Sequence, residues 1–116
     1  MQGMQILVLV LSRYEKLDAL LVELKDAGIT GATVINSTGM AQVISRESDY
    51  LLGSLRTYLT PQREDNRTVF IVLNQEKVET AKSVIHKVIG SLSEPGTGIL
   101  FLAPTLYVEG IPTEQE

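Results

Sequence analysis

The residues best suited to ligand chemistry form a short glycine-containing turn, Gly96-Thr97-Gly98, which directly precedes a hydrophobic run. Glycines in such a turn let backbone N–H groups approach an anion with no side chain in the way, and this geometry suits a phosphate. The same turn could instead be a plain connector before a strand. The residues alone leave both interpretations open.

Residues suited to catalysis or to metal binding are sparse. The chain has no cysteine, which excludes disulfides, thiolate catalysis and cysteine-based metal sites. Its one histidine, His86, has no potential co-ligand of the same kind nearby, which favours a surface or structural role. No nucleophile–base pair or ligand cluster stands out. We therefore expect neither an enzyme nor a metal-binding protein.

Length, charge and hydropathy narrow the classes of protein to which this chain could belong. A chain of 116 residues is expected to form one domain, 1–116. The net charge of −4, with no basic face or stripe, argues against nucleic-acid binding. No apolar run approaches the length of a membrane span, so we expect no membrane insertion. The expected location is the cytoplasm.

Four runs of branched apolar residues predict strands, and two stretches between them repeat apolar residues at helical spacing. The predicted strands are Ile6–Leu11, Thr33–Asn36, Val69–Leu73 and Ile99–Ala103. Ser12 and Asn74 stand where helix N-caps are expected, and Gly28 and Gly90 stand where the two helices should end. Leu106–Val108 is expected to add a short edge strand.

The order of these elements is strand, helix, strand in each half of the chain. This repetition predicts an α+β fold, a ferredoxin-like split βαβ sandwich with two helices on one face of an antiparallel sheet. Because the strands are apolar on both sides, the sheet face without helices should also be covered. An uncovered apolar face on a small domain indicates self-association.

A long connection, residues 40–68, interrupts the two halves. Connections of this length inside a compact domain are usually functional or disordered. The segment combines basic and apolar side chains that could contact a partner protein, namely Arg46, Tyr50, Leu55, Arg56 and Tyr58. The apolar members of this set could equally pack on their own domain, so both roles remain hypotheses.

The sequence from Gly28 to Val34, GITGATV, resembles the GITGMTV motif of the PII signal-transduction family. Most of the chain follows the same resemblance. Gly39 falls on a glycine at the base of the family's long T-loop, residues 40–68 fall on the T-loop itself, and Gly96-Thr97-Gly98 falls on its B-loop.

The resemblance implies a homotrimer that binds an adenine nucleotide in clefts between subunits and regulates an unidentified protein through residues 40–68. It implies a regulator of the nitrogen-regulatory type rather than an enzyme. The positions that carry over as ligand-binding residues are Thr30, Gly39, Gly96, Thr97 and Gly98.

The sequence departs from the family at several cationic positions. A lysine expected after the B-loop is Ile99, and two arginines expected near the C-terminus fall at Gly110 and Pro112. Each lost charge-assisted hydrogen bond to phosphate is worth about 1.5–3 kcal/mol. We therefore expect weak ATP binding, and a ligand with fewer phosphates, such as a nucleoside monophosphate or a cyclic dinucleotide. The alternative is a trimeric interaction module of this fold that has lost its ligand.

Overall fold

The computed structural model describes residues 3–12, 14–40, 66–94 and 96–111. They form four strands and two α-helices: β1 (Met4–Leu11), α1 (Leu17–Asp26), β2 (Ala32–Ser37), β3 (Asn66–Asn74), α2 (Val78–Ile89) and β4 (Gly98–Pro104). All four predicted strands are present, each longer than predicted by two to four residues. Because β3 begins at Asn66, the last three residues of the predicted 40–68 connection belong to a strand. Residues 41–65 lie outside the described part.

The strands form one antiparallel sheet in the order β2-β3-β1-β4. This order places the first strand in the centre and interleaves the two strand–helix–strand halves, which is the arrangement of a ferredoxin-like fold. The predicted fold class is therefore confirmed. The central position of β1 explains the unbroken apolar run from Ile6 to Leu11.

Both helices pack on one face of the sheet, where alternate strand residues form the core. Leu7, Leu9 and Leu11 of β1 are fully buried there, beside Val69 and Ile71 of β3. The helices contribute a buried stripe at helical spacing: Leu20, Leu24, Val78, Ala81, Ile85 and Ile89. This layer holds the two halves of the domain together, since α1 and α2 also contact each other.

The intervening strand residues point to the opposite face of the sheet, which we call the open face. The cross-strand register places on it Ile6, Val8, Val10, Thr33, Ile35, Thr68, Phe70, Val72, Ile99, Phe101 and Ala103. No helix of the described residues packs on this face. Ile35, Ile99 and Phe101 remain 47%, 62% and 49% exposed, respectively. The predicted uncovered apolar face is thus present within the described chain.

Each half enters its α-helix through one turn of 3₁₀ helix, Tyr14–Lys16 and Gln75–Lys77. The predicted cap at Ser12 is therefore wrong, whereas Asn74 does occupy the N-cap position of the second 3₁₀ turn. The α1 helix starts after Lys16, with no capping side chain, and the Ser12 N–H instead donates to the Thr97 carbonyl. Asn74 precedes the second 3₁₀ turn, but its side chain makes no capping hydrogen bond.

The predicted strand at Leu106–Val108 is also wrong. The Thr105 N–H and hydroxyl both donate to the carbonyl of Met4, which is the first residue of β1. Beyond this point β4 has no neighbouring strand left to pair with, so the chain continues as an irregular segment in which Leu106 and Tyr107 are exposed. The Tyr107 hydroxyl donates to Glu109, and this hydrogen bond raises the pKa of the phenol.

Candidate functional site

The predicted ligand-binding glycines lie at one end of the sheet, where β1 and β2 end and β3 and β4 begin. We call this the loop end. Gly39 follows β2 by two residues, and Gly98 is the first residue of β4, paired with Leu11. The described chain stops at Met40 and resumes at Asn66, the first residue of β3, at this same end. The structure therefore brings Gly39 and the Gly96–Gly98 turn to the same end of the molecule.

Hydrogen bonds fix the Gly96–Gly98 turn against the end of β1. The Thr97 carbonyl accepts from the Ser12 N–H at 3.1 Å, and the Thr97 hydroxyl donates to the Glu94 carbonyl at 2.7 Å. Thr97 is only 3% exposed, so its side chain serves the turn itself. Gly96 has a φ of 79°, a conformation that favours glycine. The turn is thus held by hydrogen bonds at both ends and could offer backbone groups to a ligand.

Strand spacing separates the two glycine elements within one chain. Gly39 follows the edge strand β2, and Gly98 begins the opposite edge strand β4, three strand spacings away. At about 4.8 Å per spacing this is roughly 14 Å across the sheet. A small ligand that contacted both elements would therefore need them from two neighbouring chains, which is the arrangement that the PII resemblance implies.

The loop end also carries polar side chains of the open face that the sequence analysis missed. The Ser37 and Thr68 hydroxyls are hydrogen-bonded at 2.6 Å, and Thr68 is 6% exposed. Asn66 is 8% exposed, and among the described residues its Oδ1 has no hydrogen-bond partner. A buried unsatisfied oxygen calls for a donor from outside the described chain. Side chains of β3 alternate between the two faces of the sheet as far as Asn66, and this pattern in the sequence could have identified these residues.

We predict that Ser37→Ala costs about 1–2 kcal/mol in the free energy of unfolding, because it leaves the buried Thr68 hydroxyl without its partner. Urea denaturation measures this change. Ser91→Ala is the matched control, since the Ser91–Ser93 hydroxyl pair is exposed and its loss should leave the free energy of unfolding nearly unchanged. Equal effects from the two substitutions would contradict the prediction.

Thr30 lies at the opposite end of the sheet from the other predicted ligand residues. It precedes β2, whose six residues span about 20 Å. It lines a cleft of about 280 Å³. The cleft is bounded by Met4, Gly28, Ile29, Thr30, Gly31, Ile71, Val72, Leu73, Asn74, Lys77 and Ile111. Within one chain, the predicted ligand residues therefore fall into two separate places, the loop end and this cleft.

The backbone of the cleft is set by the end of α1. The Gly28 N–H donates to the Lys25 carbonyl, and the Ile29 N–H donates to the Leu24 carbonyl, which is the hydrogen-bond pattern of a Schellman motif. Gly28 has a φ of 86°, as this motif requires. The buried Ile29 side chain then fixes the turn on the core. The predicted glycine stop after the first helix is confirmed.

Lys77 is the only ionisable residue among the described residues that line the cleft. It belongs to the 3₁₀ turn before α2 and is partly buried. A Cβ atom added at Gly28 would lie 2.7 Å from Lys77 Nζ, so the ammonium group rests directly over the glycine. Lys77 was not predicted from the sequence, because its contact with Gly28 crosses 49 positions of sequence.

The described residues show no cluster of three or more histidine or acidic side chains suited to a metal ion. His86 is exposed on α2. In the described part, no helix is long and apolar enough to cross a membrane. The five predicted partner-binding residues, Arg46, Tyr50, Leu55, Arg56 and Tyr58, all lie outside the described residues.

No protein-family model matches the sequence, and no curated protein matches it either. The fold does match solved structures. A PII protein from Arabidopsis thaliana bound to citrate superposes with a TM-score of 0.63 at 17% identity, covering 89% of this chain and 78% of that chain. A functionally unknown protein from Pediococcus pentosaceus gives a TM-score of 0.64 at 15% identity, covering 96% of this chain and 100% of that chain. The chain therefore has a PII-like fold, and its resemblance to the PII family is supported at the level of structure.

Proposed function

We propose that this protein is a cytoplasmic, homotrimeric regulator of the PII-like type. It senses a small molecule, a nucleotide, in clefts between subunits and transmits binding to a partner protein through residues 40–68. The observation that carries this proposal is that the Gly96–Gly98 turn lies at the same end of the sheet as the end of β2 and the start of β3, between which residues 38–65 run. A ligand on that turn would lie about 10 Å, two strand spacings, from the start of β3.

The open face supports the trimer in this proposal. Its exposed apolar side chains, including Ile99 and Phe101, would be buried against equivalent faces of other copies. Such packing would also bring the loop end of one chain close to elements of its neighbour. The unsatisfied Asn66 Oδ1 could then meet a donor from a second chain or from a ligand.

The mechanism is a shift of population. A ligand changes the partner's affinity only if it binds one arrangement of residues 40–68 more tightly than another. The coupling is reciprocal, so the partner protein must change the ligand's affinity by the same factor. No covalent chemistry is needed, and the protein would act by binding alone rather than as an enzyme.

The test is a thermal-shift screen of the purified protein against AMP, ADP, ATP and cyclic dinucleotides. A ligand present at a hundred times its dissociation constant adds about 2.7 kcal/mol, which raises the melting temperature by several degrees. Gly96→Asn should abolish that shift while leaving the ligand-free melting temperature nearly unchanged, because asparagine tolerates a positive φ and nothing lies within 4 Å of the added Cβ. If no compound in the panel raises the melting temperature, the result would instead favour the ligand-free interaction module.

A further inference from the structure

Two polar side chains in the cleft beneath the Gly28–Gly31 turn have no partner within the described chain. The Lys77 ammonium makes no ion pair or hydrogen bond with residues 3–12, 14–40, 66–94 or 96–111. The Asn74 carboxamide stands at a helix N-cap position but makes no capping bond. Both line the same cleft of about 280 Å³. Small-molecule sites typically combine an apolar wall with a few such converging polar groups.

The other described lysines that follow Lys77 in α2 behave differently. Lys82 pairs with Glu79 at 3.2 Å, and Lys87 pairs with Glu23 at 3.1 Å. These ion pairs are at the surface, where they contribute little. Lys77 is partly buried, and no acidic side chain is among the residues that line its cleft. Its charge is therefore available to an anion from outside the described chain.

The other half of the internal repeat does not make the equivalent contact. Lys16 occupies the position in the first half that Lys77 occupies in the second, at the end of a 3₁₀ turn. In the second half, Lys77 Nζ lies over Gly28, which follows α1. The corresponding glycine after α2, Gly90, has no atom within 4 Å of an added Cβ. Only the Gly28 side of the repeat brings a lysine over its glycine.

We propose that Lys77 is the counter-ion for the anionic group of the ligand, so that the cleft binds a compact organic anion, either a phosphate monoester or a carboxylate. This assignment rests on the proposed sensing role, in which the Gly96–Gly98 turn that meets this ligand belongs to a neighbouring subunit. Lys77 would supply a positive charge in place of those missing at Ile99, Gly110 and Pro112. Compact organic anions are the class of ligand that the cleft would select. The Asn74 carboxamide would donate a second hydrogen bond to the same anion.

The remaining walls fit an apolar or planar ligand body. Met4, Leu73 and Ile111 contribute hydrocarbon surface to the cleft. Its volume lies just below the range of about 300–1,000 Å³ found for most small-molecule pockets, which favours a compact ligand. A triphosphate carries more charge than one lysine neutralises. A carboxylate matches the one cation present, and a phosphate monoester, with a charge of about −1.5 to −2 at pH 7, exceeds it by less than a triphosphate does.

The test uses two pairs of probes that differ chiefly in charge: AMP with adenosine, and pentanoate with 1-pentanol. Binding is measured by calorimetry and by chemical shifts of the Gly28–Gly31 amides. Lys77→Met should weaken binding of the preferred anion by about 10- to 100-fold and leave its neutral counterpart unchanged. Lys77→Arg should retain most of the affinity. Lys82→Met is the matched control, since Lys82 lies on α2 and pairs with Glu79.

Preference for AMP over adenosine identifies the phosphate form of the anion, and preference for pentanoate over 1-pentanol identifies the carboxylate form. The proposal is overturned if Lys77→Met leaves the affinity for both anions within twofold of wild type, or if each neutral probe binds as tightly as its anion. A nucleotide thermal shift that persists in Lys77→Met would preserve the sensing role and reject this counter-ion. Binding that depends on Lys77 but leaves the affinity for the partner protein unchanged would support this counter-ion and reject the sensing role.

Discussion

Gly98→Ala is expected to destabilise the protein by about 3–5 kcal/mol. Gly98 has a φ of 154°, and a Cβ atom added there would lie 2.4 Å from the carbonyl oxygen of Val10. The clash is with backbone of the central strand, so no flexible side chain can move aside. Relief would require β4 to separate from β1 at the Leu11–Gly98 pair. Urea denaturation with circular dichroism measures the loss.

Gly96→Ala is the matched control for this substitution. Gly96 lies in the same turn and has a φ of 79°, but nothing lies within 4 Å of an added Cβ. Only the backbone strain of alanine in a left-handed conformation remains, about 1–2 kcal/mol. If the two variants lost equal stability, the close approach of Gly98 to Val10 would not be the cause. The comparison thus separates a steric requirement from a conformational one.

Phe101→Glu is expected to convert the proposed trimer into a monomer of 12.7 kDa. Phe101 lies on the open face, paired across the sheet with Val8, and is 49% exposed in the isolated chain. In a closed assembly, three glutamates would be transferred into an apolar interface without cationic partners. Burying unpaired charge costs several kcal/mol per group. Light scattering coupled to size-exclusion chromatography reads the mass directly.

Val22→Glu adds the same charge elsewhere and serves as the control. Val22 is 56% exposed on α1, which packs on the other face of the sheet. This variant should keep the mass of the wild-type assembly. A wild-type protein that elutes as a monomer, or a Phe101→Glu variant that keeps the assembled mass, would contradict burial of the open face between subunits.

The periodic features of the sequence predicted most of the fold. Runs such as Ile6–Leu11 and Val69–Leu73 are apolar because they occupy the two central strands, and this burial leaves a strong signal in composition. Strand ends were predicted less well. Asn66, Arg67 and Thr68 are polar residues of β3, and polarity alone assigned them to the preceding connection. The first helix start was wrong and the Asn74 cap lacks its side-chain hydrogen bond, because a 3₁₀ turn precedes each α-helix.

The candidate site was predictable only in part. Glycine motifs identified the Gly96–Gly98 turn and the Gly28–Gly31 turn, since both depend on local backbone conformation. The grouping of residues was not predictable in the same way. Thr30 lies a strand length from the loop end, and Lys77 joins it through a contact between the two halves of the repeat. Such contacts follow from the packing of α1 against α2 and leave no local pattern in the sequence.

The pairing of Ser37 with Asn66 has a consequence for how such a protein can evolve. Ser37 ends β2 and Asn66 begins β3, so paired neighbouring strands hold the two ends of the 38–65 connection together. The sheet is therefore complete without the connection. The entropy of closing a loop changes slowly with its length, by about 0.6 kcal/mol per doubling. Residues between the two strands can therefore be lengthened, shortened or rewritten at little thermodynamic cost. The connection can therefore diverge between descendants of one ancestor while the sheet that carries it is inherited intact.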